Sequence, residues 1–286
     1  MTDYAQSALS RLKNKWKEEG PKRTPFDRTL MKYAMERFLY RLSQSSYKDQ
    51  FVLKGGILFY IWTNREFRPT KDLVFLYYGH FDRDELLEKV KFICAIEFPE
   101  DGLSFDSFRA IEIKEDHEYE GVRINFRALL NKVSINMQLD ISTGDRITPK
   151  ASKSEFPQLL NMDAPSISTY PIETVFAEKL EAIVKLDLLT SRMKDVYDLY
   201  ILVTTFKEIL EVEVLGEAIN TTFNHRKTDI PEVPVSILTH RFYEDKAKIT
   251  QWKAFISKSS FQVGVEEAIN TIADFVNPII NELKLK

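Results

Sequence analysis

Residues 51–78, FVLKGGILFYIWTNREFRPTKDLVFLYY, constrain this chain more than any other stretch. They read as a short strand, a Gly-Gly turn, one or two helical turns, a loop and a second strand. A glycine pair after a strand lets the backbone approach a phosphate closely, because no Cβ intervenes. The amides that open the next helix then face the anion. Side chains alternate along the second strand, so Asp72, Val74 and Leu76 share one face while Leu73 and Phe75 share the other.

A second strong pattern lies at Val133–Ser142. Every odd position is apolar (Val133, Ile135, Met137, Leu139, Ile141) and every even one polar (Ser134, Asn136, Gln138, Asp140, Ser142). That is a half-buried strand with one wet face, and it puts Asp140 where a ligand could meet it. Residues 107–114 and 122–130 are strand-like too, with a polar turn at 115–120 between them. In the second of these runs Arg123, Asn125 and Arg127 alternate with apolar residues. Short helices with several antiparallel strands imply an α+β fold with a mixed sheet, not a doubly wound one.

Helices are expected at 3–18 and from Thr24-Pro25, with Thr24 as N-cap and Pro25 as N1. Another is expected at 83–97, where Cys94 sits on the apolar stripe as a small core residue. Residues 144–163 read as a loop. The domain boundary is placed there, giving a sheet domain over 1–163 and an α-helical domain over 164–286. The helices of the second domain are expected at Ile172–Leu186, 192–206, 211–224, 241–257 and 264–277, the last ended or kinked by Pro278.

Net charge is −3, from 40 basic and 43 acidic residues, so any nucleic-acid contact must come from a local patch. Arg11, Lys13, Lys15, Lys17, Lys22 and Arg23 form one such cluster. Arg123, Arg127, Arg146, Lys150 and Lys153 form another. Each reads equally as a solvated face. The single cysteine excludes an intramolecular disulfide and a cysteine zinc site. The four histidines lack paired spacing, and there is no P-loop and no G-x-S-x-G elbow. No apolar run approaches the ~20 residues that span a bilayer, and the N-terminus lacks the apolar core of a signal peptide. A soluble cytoplasmic protein that needs no membrane is the expectation.

Five ordered pieces carry a resemblance: Leu53-Lys54-Gly55-Gly56, Arg68-Pro69-Thr70-Lys71-Asp72, Gln138-Leu139-Asp140-Ile141, the phrase YPIETVFAEKLEA from Tyr170 to Ala182, and RMKDVYD from Arg192 to Asp198. Gln251-Trp252-Lys253-Ala254-Phe255 adds a weaker sixth. Together they resemble the AbiEii/AbiGii family of nucleotidyltransferase toxins from bacterial type IV toxin–antitoxin systems, within the DNA polymerase β-like nucleotidyltransferases. The resemblance spans roughly residues 51–255.

The resemblance implies transfer of a nucleoside monophosphate from an NTP to an RNA acceptor, the 3′ end of tRNA. It also implies Mg²⁺ or Mn²⁺ as cofactor and a separate antitoxin encoded nearby. Such chemistry needs oxygen ligands for the metal, which neutralises the triphosphate, and cations and amides that steady the phosphates. By resemblance Asp72 and Asp140 are the metal ligands. Gly55, Gly56, Thr70 and Lys179 bind the nucleotide. Asp72, Lys179, Asp195 and Asp198 are catalytic, the acidic pair orienting Lys179 or the acceptor hydroxyl. Substrate is expected in a cleft between the two domains.

On the residues alone, Asp72 is equally a turn aspartate, Thr70 a loop threonine and Lys179 a solvated lysine. Lys194, Asp195 and Asp198 likewise fit an intrahelical ion pair. One position departs from the family pattern: Val74 stands where a second acidic ligand is expected, and an isopropyl group cannot ligate a metal. Val74 is either an inactivating change in a harmful toxin or the mark of a catalytically silent nucleotide- or RNA-binding protein. Transfer of the nucleotide to a protein side chain is a further alternative.

Overall fold

Hydrophobic runs at positions 51–53 and 73–77 have no polar alternation because both strands lie in the middle of a sheet. The computed structural model describes residues 3–20, 25–115 and 119–285. The chain forms two compact units. The first comprises Met1–Arg65, Thr70–Gly144 and Ser152–Thr169; the second comprises Glu66–Pro69, Asp145–Ala151 and Tyr170–Lys286.

The first unit carries seven strands: β1 (Phe51–Lys54), β2 (Leu73–Tyr77), β3 (Leu103–Glu115), β4 (Tyr119–Leu130), β5 (Val133–Ser142), β6 (Ser152–Glu155) and β7 (Ser166–Thr169). They form one sheet in the order β3-β4-β5-β2-β1-β7-β6. β1 runs parallel to β7 and β2 parallel to β5, while the other neighbours are antiparallel. The sheet is therefore mixed and the class α+β, as the strand pattern implied. Four helices accompany it: α1 (Tyr4–Glu19), α2 (Phe26–Gln44), α3 (Leu58–Thr63) and α4 (Arg83–Cys94). α2 is buried almost all round, because α1, α4, β5 and β7 all pack on it.

That burial leaves charges to satisfy. Asp101, 1% exposed, accepts from Arg41 through Nη1 at 2.5 Å and Nη2 at 3.2 Å, and from Arg37 Nε at 3.3 Å. The next residue, Gly102, has φ +70°, and a Cβ there would fall 2.5 Å from Ala5 Cα on α1. Gly102→Ala is expected to destabilise the first unit by about 2 kcal/mol or more, because strain and overpacking coincide. A fall in the urea midpoint with unchanged slope would register it.

The second unit is helical: α5 (Ile172–Leu186), α6 (Met193–Phe206), α7 (Val212–His225), α8 (His240–Tyr243), α9 (Lys246–Ile256) and α10 (Val265–Leu285). α5 packs on α6 and α7, and α10 on α6, α7 and α8. Among the described residues no helix is long and apolar enough to cross a membrane.

Several local expectations are corrected. Pro25 is the residue before α2 and not its first helical position, and Thr24 lies outside the described residues, as do Lys22 and Arg23. Around the turn expected at 115–120, Glu115 pairs with Tyr119 and Lys114 with Glu120 in the β3–β4 ladder, while 116–118 lie outside the described residues. β6 arises within the expected loop and β7 in the segment between that loop and the helix expected from Ile172. Each has four mostly polar residues, SKSE and SIST, too short to show a period. The helix expected at 241–257 is two, because the Asp245 side chain accepts from the Lys248 backbone N–H at 2.9 Å and starts α9 afresh. α10 continues through Pro278, since Ile279 and Ile280 beyond it are buried at 4% and 0% exposure. Cys94 is buried, and burial pushes its thiol pKa up, as expected of a core residue.

Candidate functional site

In the first unit the site is built on the end of β1. Gly55 follows with φ +84°, a conformation glycine adopts without strain, and its carbonyl accepts from the Leu58 N–H at 3.2 Å as α3 begins. A Cβ on Gly55 would lie 3.4 Å from Val74 Cβ and Cγ2. The glycine turn therefore rests directly on Val74. Gly56, Thr70 and Asp72 are half-buried, and Asp72 immediately precedes β2.

Strand register then defines a row. Lys54 pairs with Val74, Val74 with Asp140, and Asp140 with Arg123. Directly paired residues on neighbouring strands share a face, so these four side chains line one side of the sheet. Asp140 is not on an open face as expected: it is 6% exposed. Arg123 covers it, donating from Nε to Oδ1 at 2.7 Å and from Nη2 to Oδ2 at 2.8 Å. Gln138 Nε2 donates to both oxygens at 3.3 Å. Lys54, 7% exposed, was not singled out from sequence as a site residue. The available signal was a lysine ending an otherwise apolar buried strand, where such a residue is rare.

These residues do not fit a divalent cation. Val74 offers no donor, and Asp140 already accepts a fork of charged hydrogen bonds. Among the described residues no group of three or more His, Cys, Asp or Glu side chains could hold a metal.

In the second unit the apolar face of α5 buries Lys179 to 9% exposure alongside Phe176, Leu180 and Ile183. A buried ammonium needs partners. Asp198 Oδ2 lies 2.6 Å away and Asp195 Oδ1 3.0 Å, both on α6. Lys179, Asp195 and Asp198 thus come together, whereas Lys194 is exposed and takes no part in the cluster. Arg68 completes the group, a member the sequence reading did not single out. It grips Asp198 in a bidentate pair, both bonds 2.7 Å. Its neighbour Phe67 is anchored as well, its carbonyl accepting from Tyr197 Oη at 3.1 Å and the Ser260 N–H at 2.8 Å.

Burial works against charge on Asp198, but Arg68 and Lys179 outweigh it and hold the carboxyl at about 2. Burial also opposes charge on Lys179, and Asp198 and Asp195 overcome it, so the lysine pKa is raised. A depressed carboxylate stabilises the fold above its unfolded value, near 4, and that contribution is lost as pH falls towards 2. A raised lysine stabilises below its unfolded value, near 10.4, and loses the contribution only at higher pH. Thermal melts between pH 5 and pH 2 are expected to show the wild type losing about 2 kcal/mol more than an Asp198→Asn variant over that range.

A second buried cluster surrounds Arg226, which meets Asp145 at 3.0 Å, Glu178 at 3.2 Å and Glu181 at 3.0 Å. Of the proposed RNA-guiding residues, Arg123 is committed to Asp140 and Arg127 to Asp106, while Arg146, Lys150 and Lys153 are exposed.

A family model described as "Nucleotidyl transferase AbiEii toxin, Type IV TA system" matches residues 37–272. Two solved structures share the fold. JHP933 from Helicobacter pylori is 17% identical with TM-score 0.52, covering 87% of this chain and 90% of its own. A candidate nucleotidyltransferase from H. pylori is 18% identical with TM-score 0.50, covering 87% and 93% respectively. No curated protein matches by sequence. With the model match extending from α2 through the Gly55 turn and both clusters into the first turns of α10, the chain belongs to the AbiEii family of nucleotidyltransferase toxins of type IV toxin–antitoxin systems.

Proposed function

We propose that this chain is a cytoplasmic nucleotidyltransferase toxin, the partner of a separate antitoxin encoded nearby, and that Val74 silences transfer in this copy. The acceptor is RNA, with the 3′-terminal hydroxyl of tRNA as the group that attacks. That oxygen bonds to the α-phosphorus of an NTP, the α–β bridge breaks, and pyrophosphate leaves. The observation that carries the reading is the register row: position 74 lies under the Gly55 turn and beside Asp140. The turn and the strand aspartate therefore converge on the one residue that departs from the family pattern.

In this reading the Gly55-Gly56 backbone and Thr70 take the nucleotide phosphates. In the helical unit, Lys179, kept charged by Asp195 and Asp198, is the nucleotide-binding lysine of this reading. Asp72 is the remaining carboxylate beside β2. The family generally uses divalent ions, and Mg²⁺ (or Mn²⁺) would call on Asp72, Asp140 and an acidic residue at 74. With Val74 and the Arg123–Asp140 pair in place, the set present does not suit that ion, and no step is assigned to it.

The same two features favour a second reading, a silent nucleotide- or RNA-binding protein. Labelled NTP incubated with the Val74→Asp variant, total RNA and lysate protein separates the outcomes. Label on RNA supports the toxin reading, and label on protein favours side-chain nucleotidylation. Nucleotide binding with no transfer, even when residue 74 is made acidic, favours the silent reading.

A further inference from the structure

A divalent-ion site collects negative charge. This row does the opposite: it sets Lys54 and Arg123 on the same sheet face as Asp140, with Val74 between Lys54 and the aspartate. Both Asp140 oxygens accept from one guanidinium, at 2.7 and 2.8 Å, a fixed fork that suits a carboxylate better than any other cationic side chain does. Gln138 donates to the same two oxygens. Asp140 thus has its counter-charge and hydrogen bonds supplied by the fold. A metal ion could take it only by displacing Arg123.

We propose that Arg123 stands in for the divalent ion at this site, and that polyphosphate binds beside the Gly55-Gly56 turn without metal. The proposal deepens the nucleotidyltransferase reading and rests on it for the location of the phosphates. The guanidinium neutralises Asp140 so that an anion can approach the turn. The side chain of Arg123 is 35% exposed, so the charge it contributes reaches the surface of the sheet. The chemistry recognised is the triphosphate chain of a nucleotide, with base and sugar left unspecified.

Two measurements on the wild-type chain test this. Mn²⁺ alone, followed by electron paramagnetic resonance, is expected to show no site that Asp140→Asn removes. Inorganic tripolyphosphate, titrated calorimetrically, is expected to bind equally well in EDTA and in Mg²⁺. A Mn²⁺ site lost in Asp140→Asn, a tenfold gain in tripolyphosphate affinity on adding Mg²⁺, or no binding in EDTA would each overturn the proposal. Variants add a third arm. Val74→Asp with Arg123→Gln is expected to hold Mn²⁺ at least tenfold more tightly than Val74→Asp alone, and Val74→Asp with Arg123→Lys much less so. Equal Mn²⁺ affinity with and without Arg123 in folded protein contradicts the idea. None of these readouts uses nucleotide transfer, so transfer by Val74→Asp can stand or fall separately.

Discussion

Asp198→Ala is expected to cost about 3–5 kcal/mol of stability, one of the largest losses available to a single substitution in the helical unit. Asp198 is 2% exposed and sits between Lys179 at 2.6 Å and the bidentate fork of Arg68 at 2.7 Å. Without it, the Lys179 ammonium and the Arg68 guanidinium face each other across the vacated position, and Lys179 keeps one of its two carboxylate partners, Asp195. Truncation leaves buried charge uncompensated, which is far more costly than removing a pair together. Lys179→Met makes a useful contrast. It removes a buried charge and keeps the apolar stem, and Arg68 still holds Asp198, so about 1–2 kcal/mol is the expected loss. If Lys179 meets the nucleotide, that milder variant still abolishes transfer in an otherwise active background. Urea unfolding of both variants checks the stability claim. A loss below about 1 kcal/mol for Asp198→Ala would show that the cluster is not what holds α5 to α6.

The strong periodicities carried most of the fold. β5 and α5 begin and end where the patterns place them, because each presents one continuous apolar face to the core. β6 and β7 were not legible, since four residues are too few to show a period and their pairing is decided by the rest of the sheet. Alternation along β5 correctly separated Asp140 from the apolar face. It could not reveal that Arg123, seventeen positions earlier, lies opposite it and covers it. Arg68 was hidden for a similar reason, being 130 positions from Asp198 in sequence. Chemistry-bearing residues were visible one at a time; their partners were not, because ion pairs between distant segments leave no local signature. The Lys179–Asp195–Asp198 group is the exception, since helical spacing already set the two acids on neighbouring positions of one face.

Val74→Asp is expected to raise transfer of label from NTP to RNA in Mg²⁺ at least tenfold, about 1.4 kcal/mol of transition-state stabilisation. The position is open to an acid. Val74 is half-buried, a Cβ added to Gly55 would lie 3.4 Å from its side chain, and a β-branched residue already fits there. Aspartate is close to valine in size, so the new carboxylate would sit in register with Asp140 and next but one to Asp72. The gain should be partial while Arg123 retains Asp140. The most direct measurement is therefore incorporation of α-labelled NTP into total RNA by wild type, Val74→Asp, and Val74→Asp combined with Asp72→Asn, all in Mg²⁺ and again in EDTA. The account predicts label on RNA with Val74→Asp in Mg²⁺, near-background label with wild type, and loss of the gain in EDTA or on removing Asp72. Folded Val74→Asp that labels no RNA under any of these conditions, or wild type that labels RNA as well as the variant does, would contradict it.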